Sequence, residues 1–141
     1  MALIVDAGAL YAQADADEPR HAAVAAVLRE EREALVTSEL AIAEADYLIL
    51  ERLGLDVELA FIDDLAEGTF VVDCLTRAEI RAAGALVERY RDLRIGLADA
   101  SLAVLADRYG STRLLTFDER AFRAMTPLGG GTFTLLPADS A

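Results

Sequence analysis

The sequence predicts an α/β fold, a three-layer sandwich in which helices cover both faces of a central, mostly parallel, twisted sheet. Short apolar runs alternate along the chain with longer segments of helical periodicity, and an acidic residue directly follows two of the short runs. Strands that alternate with helices form βα units, whose strands are parallel and whose helices pack on the sheet. In such sheets ligands collect outside the carboxyl ends of the strands.

Five apolar runs are predicted to be strands. They are short, contain β-branched and other apolar residues, and are bounded by polar residues or glycine. Asp6 follows the first run and Asp118 follows the fourth, so both acids are expected at the carboxyl ends of strands. The runs cover residues 3–5, 34–36, 69–74, 113–117 and 132–136.

The segments between these runs are predicted to be helices. Asp17-Glu-Pro19 is typical of a helix start, because proline is tolerated in the first turn. Thr37 or Ser38 is the expected N-cap of a long helix that ends at Gly54. Residues 92–96 and 129–131 are predicted to be a loop and a turn. The helical segments are the one that follows Asp6 and residues 17 to about 33, 38–54, 55–66, 76–91, 97–107 and 119–125.

The length and composition predict one domain over residues 1–141 in a reducing compartment. A chain of 141 residues that is 55% hydrophobic can build a packed core without disulfides. The single cysteine, Cys74, cannot form an internal bridge. The N-terminus has no basic region of the kind that opens a signal peptide, and Glu44 and Asp46 interrupt the most apolar stretch. We therefore expect a cytoplasmic protein without a membrane span.

The charge balance limits how the chain could contact nucleic acid. It carries 25 acidic and 13 basic residues, a net charge of -12. A protein that binds nucleic acid through backbone neutralisation alone is expected to have a basic excess. All 13 basic residues are arginine, so any phosphate contact must be local and must use the planar guanidinium group.

Four acidic residues stand out, although each has a structural explanation when taken alone. Asp6, Asp99 and Asp118 follow a strand or lie in the first turn of a helix, where a carboxylate often serves as a cap. Glu44 has apolar neighbours at helical spacing, so it is predicted to point towards packed surface. A buried carboxylate is normally paired, protonated or bound to metal. A structural role for Glu44 stays open, because Glu51 on the same stripe could extend to solvent.

Taken together, the four acids predict a cation site. Carboxylates that converge repel one another, and a divalent cation keeps them ionised together. Oxygen ligands alone favour Mg²⁺ or Mn²⁺. Zinc is not expected, because His21 is the only histidine and is interpreted as a solvated surface residue. Carboxylate-held Mg²⁺ can activate water and neutralise charge on a leaving oxygen, so phosphodiester hydrolysis is the natural chemistry.

At these spacings the residues resemble the PIN-domain ribonucleases, and most closely the VapC-type toxins of bacterial toxin-antitoxin pairs. The resemblance covers nearly the whole chain, and the ordered set is more specific than any one element. Its elements are Leu3-Ile-Val-Asp6, Thr37-Ser38 with Ala43-Glu44, Gly96-Leu-Ala-Asp99-Ala-Ser-Leu-Ala103, and Leu115-Thr-Phe-Asp118 with Phe122.

The resemblance implies a PIN-like three-layer sandwich formed by a single PIN domain, residues 1–141. It implies a type II toxin that is a metal-dependent endoribonuclease acting on transfer or ribosomal RNA. It assigns catalysis and the binding of Mg²⁺ or Mn²⁺ to Asp6, Glu44, Asp99 and Asp118. Ser38 and Thr116 match hydroxyl positions near the site. It also implies a homodimer and a VapB-type antitoxin that masks the active-site groove.

Two surface features have alternative explanations at this stage. The helix predicted over residues 38–53 is apolar nearly all round, which fits burial against its own sheet and a second surface, or a fully internal helix. Arg94 and Arg113 precede the segments that carry Asp99 and Asp118. Either arginine could meet RNA phosphate, although a solvated surface role is the simpler interpretation of each.

Other protein classes also place acids at the strand ends of a parallel sheet. Haloacid-dehalogenase-like phosphatases need a second acid where this chain has Gly8, and response-regulator receivers need a lysine, which this chain lacks. A PIN-fold nuclease of RNA processing outside toxin-antitoxin systems and a non-catalytic PIN binding scaffold remain alternatives. An upstream gene for a DNA-binding antitoxin would distinguish the toxin from these.

Overall fold

The structure, a computed structural model, describes residues 1–140. In this part of the chain five strands form one sheet in which every pairing is parallel. The strands are β1 (Leu3–Val5), β2 (Leu35–Ser38), β3 (Val71–Asp73), β4 (Arg113–Leu115) and β5 (Thr134–Leu136). Their order across the sheet is β3-β2-β1-β4-β5.

Seven α-helices connect or follow the strands within the same residues. They are α1 (Ala7–Ala14), α2 (His21–Glu30), α3 (Glu39–Leu53), α4 (Leu55–Ala66), α5 (Arg77–Arg89), α6 (Gly96–Arg108) and α7 (Glu119–Ala124), with a short 3₁₀ turn at Arg91–Leu93. All three residues of β1 are 0% exposed although successive side chains point to opposite faces, so both faces of the sheet are covered. The predicted α/β class with a parallel sheet is confirmed.

The strand order reverses between β1 and β4. The chain adds β2 and β3 on one side of β1 and then returns to place β4 and β5 on the other side. The backbone N–H of Asp6 donates to the carbonyl of Leu115 at 3.0 Å, so the carboxyl ends of β1 and β4 are directly adjacent. This is the position at which a doubly wound sheet opens a crevice for a ligand.

Several predicted boundaries were wrong in detail. The helix expected from residue 17 begins at His21, because residues 15–20 form a turn in which Asp15 accepts the N–H of Asp17 at 3.0 Å. The third, fourth and last strands are shorter than predicted, and β4 ends at Leu115. Part of the loop expected at residues 92–96 belongs to the 3₁₀ turn. Ser38, rather than Thr37, caps α3.

Helix α3 is not fully internal. Ala41, Ala45 and Ile49 are 0% exposed and face the core, whereas Tyr47 is 65% exposed and Leu50 is 46% exposed. The alternative of a completely buried helix is therefore wrong, and an apolar face of α3 remains open. Among residues 1–140, no helix is both long enough and apolar enough to cross a membrane.

The start of β4 is tied to the segment after α2 by an ion pair, Arg113 with Glu31, whose shortest N–O distance is 2.6 Å. We expect Glu31→Gln to lower the free energy of unfolding by about 1–2 kcal/mol, because the pair is partly buried and bidentate. Arg113 holds the pKa of Glu31 below its usual range, so this stabilisation is lost as pH falls through that lowered pKa. Urea unfolding at several pH values measures both effects.

The exposed pair between Glu88 and Arg91 provides the control. Glu88→Gln should leave stability unchanged, since ion pairs in open solvent contribute little. Equal stability of the Glu31 and Glu88 variants would contradict the role given to the Arg113 pair.

Candidate functional site

Asp6 is a buried carboxylate held at the junction of β1 and α1. It is 7% exposed, and its Oδ1 accepts the backbone N–H of Ala7 at 2.7 Å. Its Oδ2 accepts the hydroxyl of Thr116 at 2.6 Å. Asp6 therefore does serve as a helix cap, as the structural interpretation proposed, but it also lies in the crevice between β1 and β4.

Thr116 connects Asp6 to Asp118. Besides donating to Asp6, the Thr116 hydroxyl oxygen accepts the backbone N–H of Asp118 at 3.0 Å. The Asp118 carboxylate in turn caps α7 by accepting the N–H of Ala121 at 3.1 Å. One buried hydroxyl group thus sets the relative positions of two of the predicted acids.

Asp99 lies in the first turn of α6 and is partly buried. Glu44 is exposed on α3, so the expectation that it points towards packed surface was wrong. Its apolar neighbours at helical spacing include Leu40 and Tyr47, which are themselves exposed, because α3 buries the adjacent stripe. Glu44 faces the open side of the helix.

The electrostatics of Asp6 and Asp99 connect these two acids with Glu44 and Asp118. Burial, followed by the charges of Asp6, Asp118 and Glu44, raises the pKa of Asp99 to about 7. Burial is also the largest cause of a raised pKa at Asp6, with smaller contributions from Glu44 and Asp118, while the hydrogen bonds from Thr116 and Ala7 oppose the shift. Every charged group that shifts the pKa of Asp6 or Asp99 is another carboxylate.

The residues present fit an open cation site rather than a closed cage. Across residues 1–140, no three Asp, Glu, His or Cys side chains are arranged closely enough to enclose a metal ion. Mg²⁺ commonly keeps several waters and is bound through only one or two carboxylates. A cluster of oxygen donors with no neutralising arginine therefore suits such an ion, although the role of each acid as a ligand stays a prediction.

Ser101, which the sequence interpretation did not select, connects the helices that carry Glu44 and Asp99. Its hydroxyl oxygen lies 2.8 Å from that of Ser38, and Ser101 donates to the carbonyl of Ala98 at 2.5 Å. Ser38 accepts the N–H of Ala41 at 3.0 Å, so the two hydroxyl groups form a buried chain between α3 and the first turn of α6. Ser101 is the one hydroxyl residue of a largely apolar helix, a signal that could have identified it.

The structure also shows the surroundings of Arg113, Arg94 and His21, for which the sequence made predictions. Arg113 lies at the amino end of β4, away from Asp118, and both of its terminal amines contact Glu31. Arg94 is exposed beside α6, with a left-handed backbone at φ 53°. His21 is not simply solvated, because its Nδ1 lies 2.7 Å from the carbonyl oxygen of Ala12.

Comparison with known proteins identifies the family of this chain. Residues 3–126 match the model of the PIN domain family. The chain is 47% identical over 135 residues to Ribonuclease VapC26 of Mycobacterium tuberculosis, an alignment that covers 96% of this chain and 100% of that protein. The chain therefore belongs to the PIN-domain family. Within that family it is a homologue of the VapC ribonucleases, enzymes for which divalent-metal dependence is general.

Solved structures support the fold independently. The crystal structure of VapC20 from Mycobacterium tuberculosis, described as a Sarcin-Ricin loop cleaving toxin, superposes with a TM-score of 0.80 at 18% identity over 86% of this chain and 94% of that one. VapBC2 from Rickettsia felis, solved bound to a DNA fragment from its promoter, gives a TM-score of 0.69 at 13% identity over 96% and 98% of the two chains. The PIN-like fold expected from the sequence is confirmed.

Removal of the buried hydroxyl at Ser101 should destabilise the protein. Ser101→Ala leaves the carbonyl of Ala98 and the hydroxyl of Ser38 without this partner, which is expected to cost about 1–3 kcal/mol of unfolding free energy. Chemical denaturation measures the change. Thr132→Ala removes an exposed hydroxyl that makes no hydrogen bond within residues 1–140 and should have no effect. A Ser101 variant as stable as the Thr132 variant would refute the chain of hydroxyl groups.

The raised pKa of Asp99 predicts a pH-dependent stability. The pKa of Asp99 is about 7 in the fold against an ordinary value of 3.8, so the unfolded chain loses this proton first. Stability of the metal-free protein should therefore fall as pH rises through this window. Asp99→Asn should show a shallower decline in urea unfolding, whereas Asp107→Asn, at the exposed end of the same helix, should follow the wild type. Identical profiles for all three proteins would contradict the carboxylate cluster.

Proposed function

We propose that this chain is the endoribonuclease toxin of a type II toxin-antitoxin system and hydrolyses RNA phosphodiesters with Mg²⁺ or Mn²⁺ held by Asp6, Glu44, Asp99 and Asp118. One observation carries the assignment of the site: the charges of Glu44 and Asp118 raise the pKa of both Asp6 and Asp99, and no arginine is among the causes of either shift. Membership of the PIN-domain family and homology to a VapC ribonuclease support the reaction.

The chain itself fixes the geometry of the site. Thr116 and the N–H of Ala7 each engage one oxygen of Asp6, which leaves the remaining lone pairs of that carboxylate available to a cation. Asp118 has one oxygen engaged by the N–H of Ala121. A divalent cation bound there supplies a water of lowered pKa and neutralises negative charge on the phosphate. By analogy with the family, the products are a 3′-hydroxyl and a 5′-phosphate.

An exposed Glu44 suits a metal site that RNA must reach better than the buried side chain expected from the sequence. Glu44 is exposed on the open side of α3, and its charge raises the pKa of both Asp6 and Asp99. An RNA strand would approach the metal from this side. The open side of the cluster is therefore the proposed entrance for substrate.

Partners and substrate class are inferred from the similar proteins. VapC20 is described as a toxin that cleaves the Sarcin-Ricin loop, which supports a structured ribosomal or transfer RNA as the substrate here. The VapBC2 structure supports a VapB-type antitoxin as partner. A homodimer is proposed from the family resemblance alone. The net charge of -12 suits an antitoxin segment rich in arginine or lysine. A toxin acting on these RNAs works in the cytoplasm.

Cleavage of total cellular RNA by the purified chain tests this function. With Mg²⁺ we expect discrete cuts, mapped by sequencing of 5′ ends, and no cuts in excess EDTA. Asp6→Asn and Asp99→Asn should fold normally, because they relieve repulsion, but should lose cleavage. Asp107→Asn, on the same helix as Asp99, should cut as the wild type does.

Two results would count against the proposal. Cleavage that persists in EDTA would remove the metal from the mechanism. No cleavage under any condition, together with no metal binding by calorimetry, would favour the non-catalytic PIN scaffold instead.

A further inference from the structure

An aromatic residue, Phe117, lies in the segment that joins Thr116 to Asp118. Phe117 follows Thr116 and precedes Asp118, so its backbone is part of the segment that positions both Asp6 and Asp118. Its ring packs over the first turns of α1, where a Cβ added at Gly8 would lie 3.7 Å from Cδ2 of the ring. The side chain of Phe117 is only partly buried.

The guanidinium group of Arg20 lies over the ring of Phe117. Its guanidinium carbon Cζ lies 3.9 Å from the centroid of the Phe117 ring, within the range of a cation-π contact. Its Nε donates to Oε1 of Glu18 at 2.9 Å, and the backbone N–H of Arg20 donates to the same oxygen at 3.3 Å. The contact with the ring and the ion pair together hold the guanidinium group over Phe117.

The two terminal amines of Arg20 are free. They make no hydrogen bond to any group in residues 1–140, and the Arg20 side chain is 53% exposed. The other well-anchored arginines differ, because the terminal amines of Arg108, Arg113 and Arg123 contact carboxylates. Arg20 is thus oriented by the fold but has unused donors in the fork geometry that matches a phosphate.

We propose that Arg20, held over the ring of Phe117, binds a backbone phosphate of the RNA strand next to the scissile one and so positions the strand over the acidic cluster. The inference rests on the proposed ribonuclease function. A chain of net charge -12 repels RNA at long range, so a local and pre-oriented cation on Phe117, the residue between Thr116 and Asp118, is what holds the strand in register. Because the fold already restrains the guanidinium group, little side-chain entropy is lost on binding.

Steady-state cleavage tests the role of Arg20 as a positioning residue. The substrate is a labelled oligonucleotide that contains the cut site mapped with total RNA. We expect Arg20→Ala to raise KM about tenfold, as expected for loss of one charge-assisted contact, with little change in kcat. Arg20→Lys keeps the charge but not the fork, so its KM should be intermediate. Arg29→Ala, on the exposed end of α2, is the matched control and should behave as the wild type.

Binding without cleavage provides a second readout, which a purely structural role of Arg20 would not change. Labelled oligouridylate in EDTA is the probe, since phosphate contacts carry no sequence information. The slope of log affinity against log salt should fall by about one for Arg20→Ala and stay unchanged for Arg29→Ala.

The outcomes separate this inference from the proposed function. If wild type and Arg29→Ala cleave RNA but Arg20→Ala matches them in KM and in salt slope, the inference is wrong and the ribonuclease stands. A loss of kcat with an unchanged salt slope would also overturn it, because Arg20 would then act through the fold. If no protein cleaves, the proposed function fails, and the salt slope still decides whether Arg20 contacts phosphate.

Discussion

Repulsion between carboxylates, acting on Asp6 and Asp99 from Glu44 and Asp118, is the unfavourable interaction that this fold has to withstand. Two of these acids, Asp6 and Asp99, have raised pKa values because burial and neighbouring acids disfavour their charged forms. Such a cluster lowers the stability of the metal-free fold, so the surrounding framework must hold it in place. The strand order does this first, because the reversal between β1 and β4 makes the segments that carry Asp6 and Asp118 adjacent.

Small buried hydroxyl groups provide the second level of support. Thr116 bridges Asp6 and the backbone of Asp118, and the pair Ser38 and Ser101 joins the starts of α3 and α6. Each of these hydroxyl groups is at most 1% exposed. Thr116 thus joins the segments that carry Asp6 and Asp118, and the serine pair joins the helices that carry Glu44 and Asp99. A site built on strand ends and helix starts in this way keeps its geometry without a bound metal.

The contacts of the arginines bear on how so acidic a protein can act on a polyanion. Most of the well-anchored arginines stabilise the fold, as Arg113 does with Glu31 and Arg108 does with Glu79. In the proposed mechanism, attraction to RNA comes from the metal and from a few local donors, among them Arg20 on Phe117. The surplus of negative charge would instead favour a basic protein partner.

Much of the fold could be predicted from the sequence, since a buried strand that ends in an acid, as at Asp6, is a local pattern. The features that were missed depend on tertiary packing. The apolar neighbours of Glu44 identify a stripe on α3 but not whether that stripe faces the core or the open side, and it faces the open side. The pairing of Arg113 joins residues 82 positions apart, a separation at which no local pattern operates. Ser101 had a detectable signal, but its partner Ser38 lies on another element.

The most direct test of the central claim is a titration of Asp99 by NMR, with the aspartate carboxyl carbons labelled and the Asp99→Asn variant used for assignment. In the metal-free protein, we expect a pKa of about 7 for Asp99. Addition of Mg²⁺ should move this pKa well below its metal-free value, because a bound cation favours the ionised carboxylate. An ordinary aspartate pKa that Mg²⁺ does not change would contradict both the carboxylate cluster and the metal site built on it.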